Sequence, residues 1–456
     1  MDTVISGTIV TGREVLPGGW LAIRDGRIAA IGCGEAPAAA SHHDAGDALV
    51  LPGVIDGQTH AGSFQGLPGL ASTTRSAVAG GVTTIVDMPY DNPHPLDSIE
   101  TLREKVAAIE TWAHCNVALY ATVMPGQGTD AVDRLIEGGI VAFKISSFES
   151  SPTRFPRIPS DLTLDLFETL AGTHIPLGLH NEDQEIVRSR VARLKEAGQN
   201  GIAAHSGSRP PAAEAAATAH FLELGAAAGA HAHIVHLTTN RGFQLVENYR
   251  RDGFRATGEL CVHYLWFDPV RDGAELGARM KVNPPIRPGQ SDALWAEIAA
   301  GRVAFVSSDH SSWPIDNKLT PSIFDAGAGV PGLETLLPAF FTGARKQGFD
   351  AARATVEQLC ERPARFFGLW PQKGEIRVGA DADLAIFSLG PTPWRAAEAH
   401  DELNWSPFED RIFDGHVSRT YVGGKLAWDG SVITNREGDG RFLPRGSSRW
   451  FDGRSG

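Results

Sequence analysis

Cysteine is scarce in this chain: four in 456 residues, namely Cys33, Cys115, Cys261 and Cys360. They lie far apart and no Cys-x-x-Cys pair occurs, which argues against a disulfide framework and against a thiolate zinc site. Long apolar runs are also missing; none approaches the roughly 20 residues of a membrane span. Basic residues do not cluster, and the formal net charge is −13. That balance argues against nucleic acid and against an anionic membrane surface as partners. The start, Met1-Asp2-Thr3-Val4-Ile5, lacks the positive and apolar regions of a signal peptide. A cytoplasmic protein is expected.

What is present changes texture twice. Residues 1–50 read as short strands with tight turns. Val4 to Val10 is rich in β-formers, and Asp25-Gly26 inside Trp20 to Ile28 is a hairpin signal. From residue 51, apolar runs alternate with helical stretches such as Leu96 to Thr111 and Ala212 to Ala228. Such alternation over some 300 residues predicts parallel βαβ units closed as a (β/α)8 TIM-type barrel, here spanning residues 51–373. From residue 374 the short-strand texture returns. Both ends, 1–50 and 374–456, are therefore expected to share one small composite β-sandwich domain. The tail from Arg436 is rich in Gly, Arg and Ser but carries Phe442, Trp450 and Phe451. It reads either as floppy or as an arm docked on its own domain or on a neighbouring subunit.

The most informative stretch is Leu51 to His60, an apolar run ending in a polar cluster. Four later runs end the same way, in Lys144, His180, His236 and Asp309. Alternation along a strand puts small Ala142 on the face of Lys144, Gly178 on that of His180, and Ser307 on that of Asp309. It puts His236 opposite His233 and His231, which are then outward or at the strand start. Each candidate thus ends a strand and can point into a barrel mouth, where loops leave room for chemistry. Histidine nitrogens and a carboxylate suit zinc or a similar divalent metal. A protonated Lys144 would be repelled by such ions, but burial favours the neutral amine, which could add carbon dioxide to become an anionic carbamate. Gln58 is the oddity, because a neutral amide is a weaker ligand than an imidazole.

At these residues the chain resembles the amidohydrolase superfamily, in particular its cyclic branch of allantoinases, hydantoinases and dihydroorotases. Pro-Gly-x-x-Asp-x-x-x-His at residues 52–60, Phe143-Lys144, Leu179 to Asp183, Val235-His236-Leu237, Ser208 to Pro211, Cys261 to Leu265, Lys281 to Pro285, Ser308-Asp309-His310 and Gly374 to Leu384 all resemble its motifs, in order. The resemblance implies two divalent metals, zinc by preference, bridged by a carboxylated Lys144. Position 58, His60, Lys144 and Asp309 would hold one; Lys144, His180 and His236 the other. A metal-bound hydroxide would open the C–N bond of a small cyclic amide, imide or ureide, with Asp309 as general acid and base. Substrate would be held near Asn283, Ala328 and Phe148, in a homodimer or homotetramer.

Three departures sharpen that expectation. Gln58 stands where the family usually has a histidine, so the first site is expected to bind more weakly or to be lost. Ala61 to Gln65 offers no arginine for a substrate carboxylate, against dihydroorotate. Glu149 stands where hydantoinase-like enzymes tend to have a tyrosine, and Ser150 to Pro156 looks more like allantoinases. Allantoin-like rings therefore rank first, hydantoins or dihydropyrimidines second. The alternatives are a silent scaffold or regulatory subunit, or a relative acting on linear N-acyl compounds or on amines. Residues 61–70 and 312–332 read as loops capping the mouth, with Phe64, Phe148 and Trp313 as candidate walls.

Overall fold

The computed structural model describes residues 1–451. The N-terminal strands are β1 (Thr3–Val10), β2 (Val15–Arg24), β3 (Arg27–Cys33) and β4 (Ser41–Pro52). They join β15 (Leu384–Pro393), β16 (Ile412–Val422) and β17 (Lys425–Trp428) in one seven-stranded sheet of order β17-β16-β15-β4-β1-β2-β3. The two ends of the chain meet where β4 runs antiparallel to β15, with Pro52 opposite Leu384. Ile5, Leu21, Val50, Leu384 and Ile386 from both ends share one buried cluster.

Between the ends lies the barrel. Strands β5 (Val54–His60), β6 (Val82–Asp87), β7 (Asn116–Ala121), β8 (Ala142–Ser146), β9 (Pro176–His180), β10 (His231–Ile234) and β11 (Ala256–Gly258) run parallel in chain order. The seventh strand continues as β12 (Leu260–Cys261), and the eighth is split into β13 (Val306–Ser307) and β14 (His310–Ser311). Closure follows from pairing Cys261 with Ser307 and Ser311 with His60. Helices such as Ile99–Trp112 and Pro211–Ala228 alternate with the strands. No helix among the described residues is long and apolar enough to cross a membrane.

The barrel interior is filled by side chains rather than left as a pore. Phe305 and Tyr120 pack there with Phe366 and Phe367. Gly57 makes room: a Cβ at that position would lie 2.2 Å from the Phe305 ring. The expected outward direction of His233 is not what is found. His231 does begin its strand, but both rings are buried, bond Thr257 Oγ1 at 2.7 and 2.9 Å, and pack on Phe366. The alternation rule fails because β10 stops at Ile234 and His236 turns to a left-handed φ of 42°. His233 and His236 can then both face inward.

The tail docks on its own barrel. Val117 N donates to Arg441 O (2.9 Å), and Leu443 N donates to Val117 O (2.8 Å). Trp450 is buried against Phe366, and Phe451 packs on His231.

Candidate active site

The position of Asp309 is set by strand one. The buried Asp56 carboxylate accepts from Ser308 N (2.8 Å), Ser308 Oγ (2.6 Å) and Thr59 Oγ1 (2.6 Å). Burial raises the Asp56 carboxyl to about 6, partly offset by these bonds. The residue after Ser308, Asp309, adopts a left-handed φ of 50°. Two candidate ligands, His236 and Asp309, thus sit in backbone that non-glycine residues rarely adopt, a strain that clusters at functional sites. His60 is fixed by its successor, since Ala61 N donates to Asp87 Oδ1 at 2.7 Å. Asp87 in turn is held by the buried Lys105, which also binds Asp91.

These supports bring the donors together in two pairs. His60 Nε2 lies 3.3 Å from Asp309 Oδ1. His180 Nδ1 lies 3.0 Å from His236 Nε2. Two ligands about 2.0–2.1 Å from one tetrahedral ion stand about 3.3–3.4 Å apart, so the His60–Asp309 spacing fits a shared cation as it stands and the His180–His236 spacing is a few tenths of an ångström short of it. The opposite ring nitrogen of His180 bonds Glu182 Oε2 at 2.9 Å, which leaves Nδ1 with its lone pair facing His236. Burial lowers the pKa of both imidazoles, so they are neutral donors at neutral pH. Burial pushes the Asp309 carboxyl up, but the hydrogen bond and charge of His60 outweigh it and keep it below its ordinary value.

Lys144 is fully buried, and among the described residues its ammonium has only Met88 Sδ, 4.0 Å away, as a hydrogen-bonding partner. Burial lowers it to about 8 against the raising effect of Asp309 and Glu259. Gly178 faces its stem, where a Cβ would stand 3.5 Å from Lys144 Cδ. Among the described residues, no cluster of three or more His, Cys, Asp and Glu side chains is arranged to hold an ion by itself. Each pair therefore needs a further donor, and Lys144 is charge-coupled to Asp309 on one side and to His180 and His236 on the other. Gln58 has both options open. Its Nε2 donates to Asp309 Oδ1 (2.9 Å), while its buried Oε1 has no partner among the described residues. The two donor pairs, with the Gln58 carbonyl oxygen left without a partner among the described residues, fit a divalent ion.

One cavity of about 410 Å³ is lined by Gln58, His60, Lys144, His180, His236 and Asp309, and also by Asn283, Ala328 and Phe148. All nine candidate site residues thus meet in one place. Asn283 Oδ1 is buried without a partner among the described residues. Ala328 O accepts from Trp313 Nε1 at 2.8 Å, which fixes that loop. The walls are aromatic: Phe64 tilts against Trp313, and Tyr90 stacks on Phe155 at 3.8 Å. Glu149 also lines the cavity but is tied to Arg188 at 3.2 Å.

Several contributors escape a reading of the sequence. Glu182 accepts from His180 and pairs with Arg209, which holds its carboxyl down to about 2 against the raising effect of burial. Arg209 in turn lies 4.7 Å from the Phe148 ring centre. Lys318 is buried in the 312–332 loop and donates to the carbonyls of Lys281 (2.9 Å), Gly327 (2.8 Å) and Gly329 (2.8 Å), so this loop is stapled from within. The only sequence signal for Lys318 is a lone lysine in a stretch rich in Gly and Pro.

Known proteins share this layout. The amidohydrolase family model matches residues 49–427. An allantoinase from Rubrobacter xylanophilus is 34% identical over 445 residues, covering 95% of this chain and 97% of that one. A D-hydantoinase from Rhizobium radiobacter is 31% identical over 471 residues, covering 98% and 99%. Among solved structures, the L-hydantoinase (dihydropyrimidinase) from Arthrobacter aurescens superposes with a TM-score of 0.92 at 28% identity, over 97% of this chain and 100% of that one. The matched span takes in every strand that carries a donor to the cavity, and the chain belongs to the amidohydrolase family.

Proposed function

We propose that the protein hydrolyses the C–N bond of a small cyclic amide, imide or ureide, with allantoin-like rings first and hydantoins or dihydropyrimidines second. The observation that carries this reading is the buried Lys144, without an oxygen partner, beside two converging donor pairs in one cavity. The relatives named allantoinase and hydantoinase support the same class of substrate.

His60 and Asp309 would hold one divalent ion, zinc by preference, with Gln58 Oε1 as a weak additional donor. His180 and His236 would hold a second. Lys144 would complete both sets as a carbamate, its amine lone pair adding to carbon dioxide with loss of a proton. Bound ions supply a lowered pKa for water and a polarised carbonyl. Asp309 accepts the proton of the attacking water and returns it to the leaving ring nitrogen. Glu182 keeps the His180 ring in place, and Asp56 keeps Asp309 in place. Asn283 and the backbone at Ala328 hold the ring amide, with Phe148 at its edge. The chain is proposed to work as a homodimer or homotetramer; light scattering showing a clean monomer would refute that.

The test is ring opening across allantoin, hydantoin, dihydrouracil, dihydroorotate and simple imides, with added zinc or manganese and bicarbonate. Turnover of at least one ring is expected, and dihydroorotate is expected to be poor. Silence across the panel with metal bound points to a different substrate class, and silence without bound metal to a non-catalytic relative.

A further inference from the structure

Outside the donor set, Arg154 stands apart from the other cations of the cavity. Arg209 is paired with Glu182, and Lys281 donates to the carbonyls of Ile323 and Ala326. Arg154 lines the cavity half-buried, and its one protein acceptor among the described residues is Ser63 O, at 2.7 Å. Among those residues no carboxylate reaches its guanidinium. A guanidinium carries five N–H donors, so most of its donor capacity is left over.

The placement is rigid. Ser150 N and Ser151 N both donate to Phe155 O, and Phe155 N donates back to Ser151 O (2.9 Å). The Phe155 ring is clamped between Tyr90 (3.8 Å, stacked) and the edge of His180 (5.6 Å). Ser63, the acceptor, also sets its Oγ 3.2 Å from His60 Nδ1. The turn that carries Arg154 is therefore fixed, and its guanidinium lies at the cavity wall against Ser63, the residue whose hydroxyl meets His60; a ring bound at the donor residues would extend an exocyclic arm within its reach. An apolar arm there strips water from a cation and returns nothing, whereas an acceptor oxygen replaces that water.

We infer that Arg154 is a specificity residue that holds a hydrogen-bond-accepting oxygen on an arm attached to the substrate ring, a ureido carbonyl or a carboxylate. The inference rests on the ring-opening function proposed above. Arg154 selects by attraction to such arms and by the cost that apolar arms incur.

Three probes test it: allantoin (ureido arm), hydantoin-5-acetate (carboxylate arm) and 5-propylhydantoin (apolar arm), with the wild type, Arg154→Met and Arg154→Lys. The wild type is expected to prefer an acceptor arm over propyl in kcat/KM. Arg154→Met is expected to cut that preference by about ten- to a hundredfold, mostly through KM, as loss of a charge-assisted hydrogen bond does. Arg154→Lys should restore part of it on the carboxylate arm. A larger loss on allantoin identifies the ureido oxygen as the ligand, and a larger loss on the acetate identifies the carboxylate. Equal losses on all three rings, the result if Arg154 only clips its turn to Ser63, overturn the inference, as does a wild type without preference. If the wild type opens none of the rings, the parent function fails by itself. Calorimetric binding of allantoin and hydantoin-5-acetate then decides: weakening by Arg154→Met sustains the inference, and unchanged or undetectable binding of both overturns it.

Discussion

Single side chains decide whether this cavity can do chemistry, and Lys144, Asp309 and Gln58 carry most of that weight. Asp309 is proposed to move the proton, a contribution worth on the order of 10²–10⁴ in rate. Asp309→Ala is therefore expected to lose at least that much kcat. Lys144→Ala removes the buried amine whose charge is felt by both donor pairs and should lose nearly all turnover. Circular dichroism should show both variants folded; retained activity in either would sink the mechanism. Gln58 leads to a different measurement. Its amide already donates to Asp309, and its free oxygen is a neutral ligand weaker than imidazole. After mild chelation, metal analysis is expected to show fewer than two ions per chain in the wild type and a rise toward two in Gln58→His. Two ions surviving in the wild type would defeat this. The ligand candidates were legible because each is a polar residue ending an apolar run. The roles of Arg154 and Glu182 were not, although both lie within stretches that resemble the family, since their meaning comes from partners: Arg154 meets Ser63 across 91 residues, and the motif does not show which ring Glu182 holds.

Elements position these side chains, and their reading from sequence was good where strands are regular and poor where they break. Gly178, read as sharing the inward face of His180, does face inward, toward the stem of Lys144, because β9 alternates without interruption up to its end at His180. His233 was misplaced because β10 stops two residues before His236 and the backbone then turns left-handed. A helix of the barrel's outer layer gives a further prediction. The helix Leu333–Lys346 presents Glu334, whose carboxylate accepts from His400 N (2.6 Å) and pairs with His400 Nδ1 (3.2 Å). Next to this contact, burial pushes the Asp401 carboxyl up to about 7, opposed by the N–H of Leu403. Below pH about 4, Asp401 is neutral folded and unfolded. Between about 4 and 7 the unfolded chain ionises it first, so its contribution to stability falls as pH rises. Above 7 it is ionised in both states and the loss is complete. Asp401→Asn keeps the acceptor and removes the ionisation. Its Tm relative to wild type is expected to be higher at pH 8 than at pH 5, and a pH-independent difference would contradict the assignment.

The whole molecule is closed by its tail, the part the sequence left most open. The aromatic residues pointed to docking, but composition could not say whether on the same chain or on a neighbour. The register of the barrel supplies the reason for the intramolecular choice. β7 begins at Asn116, yet its pairing with β8 starts only at Tyr120 opposite Ala142. The beginning of β7 on that side would be a bare edge. Arg441 and Leu443 bond both backbone groups of Val117 there, and Trp450 covers the floor beside Phe366. Two backbone hydrogen bonds are worth about 0.5–1.5 kcal/mol each. Each large apolar side chain returned to water costs about 1.5–3 kcal/mol more. Deleting residues 441–456 is therefore expected to lower Tm by at least about 5 °C. The tail bonds Val117 near the start of β7, whereas His60 and His180 stand at the ends of their strands, so kcat measured well below the new Tm should be unchanged. A tail that matters instead through a neighbouring subunit would give another result: the deletion would change the assembly size in light scattering while leaving the stability of each chain intact.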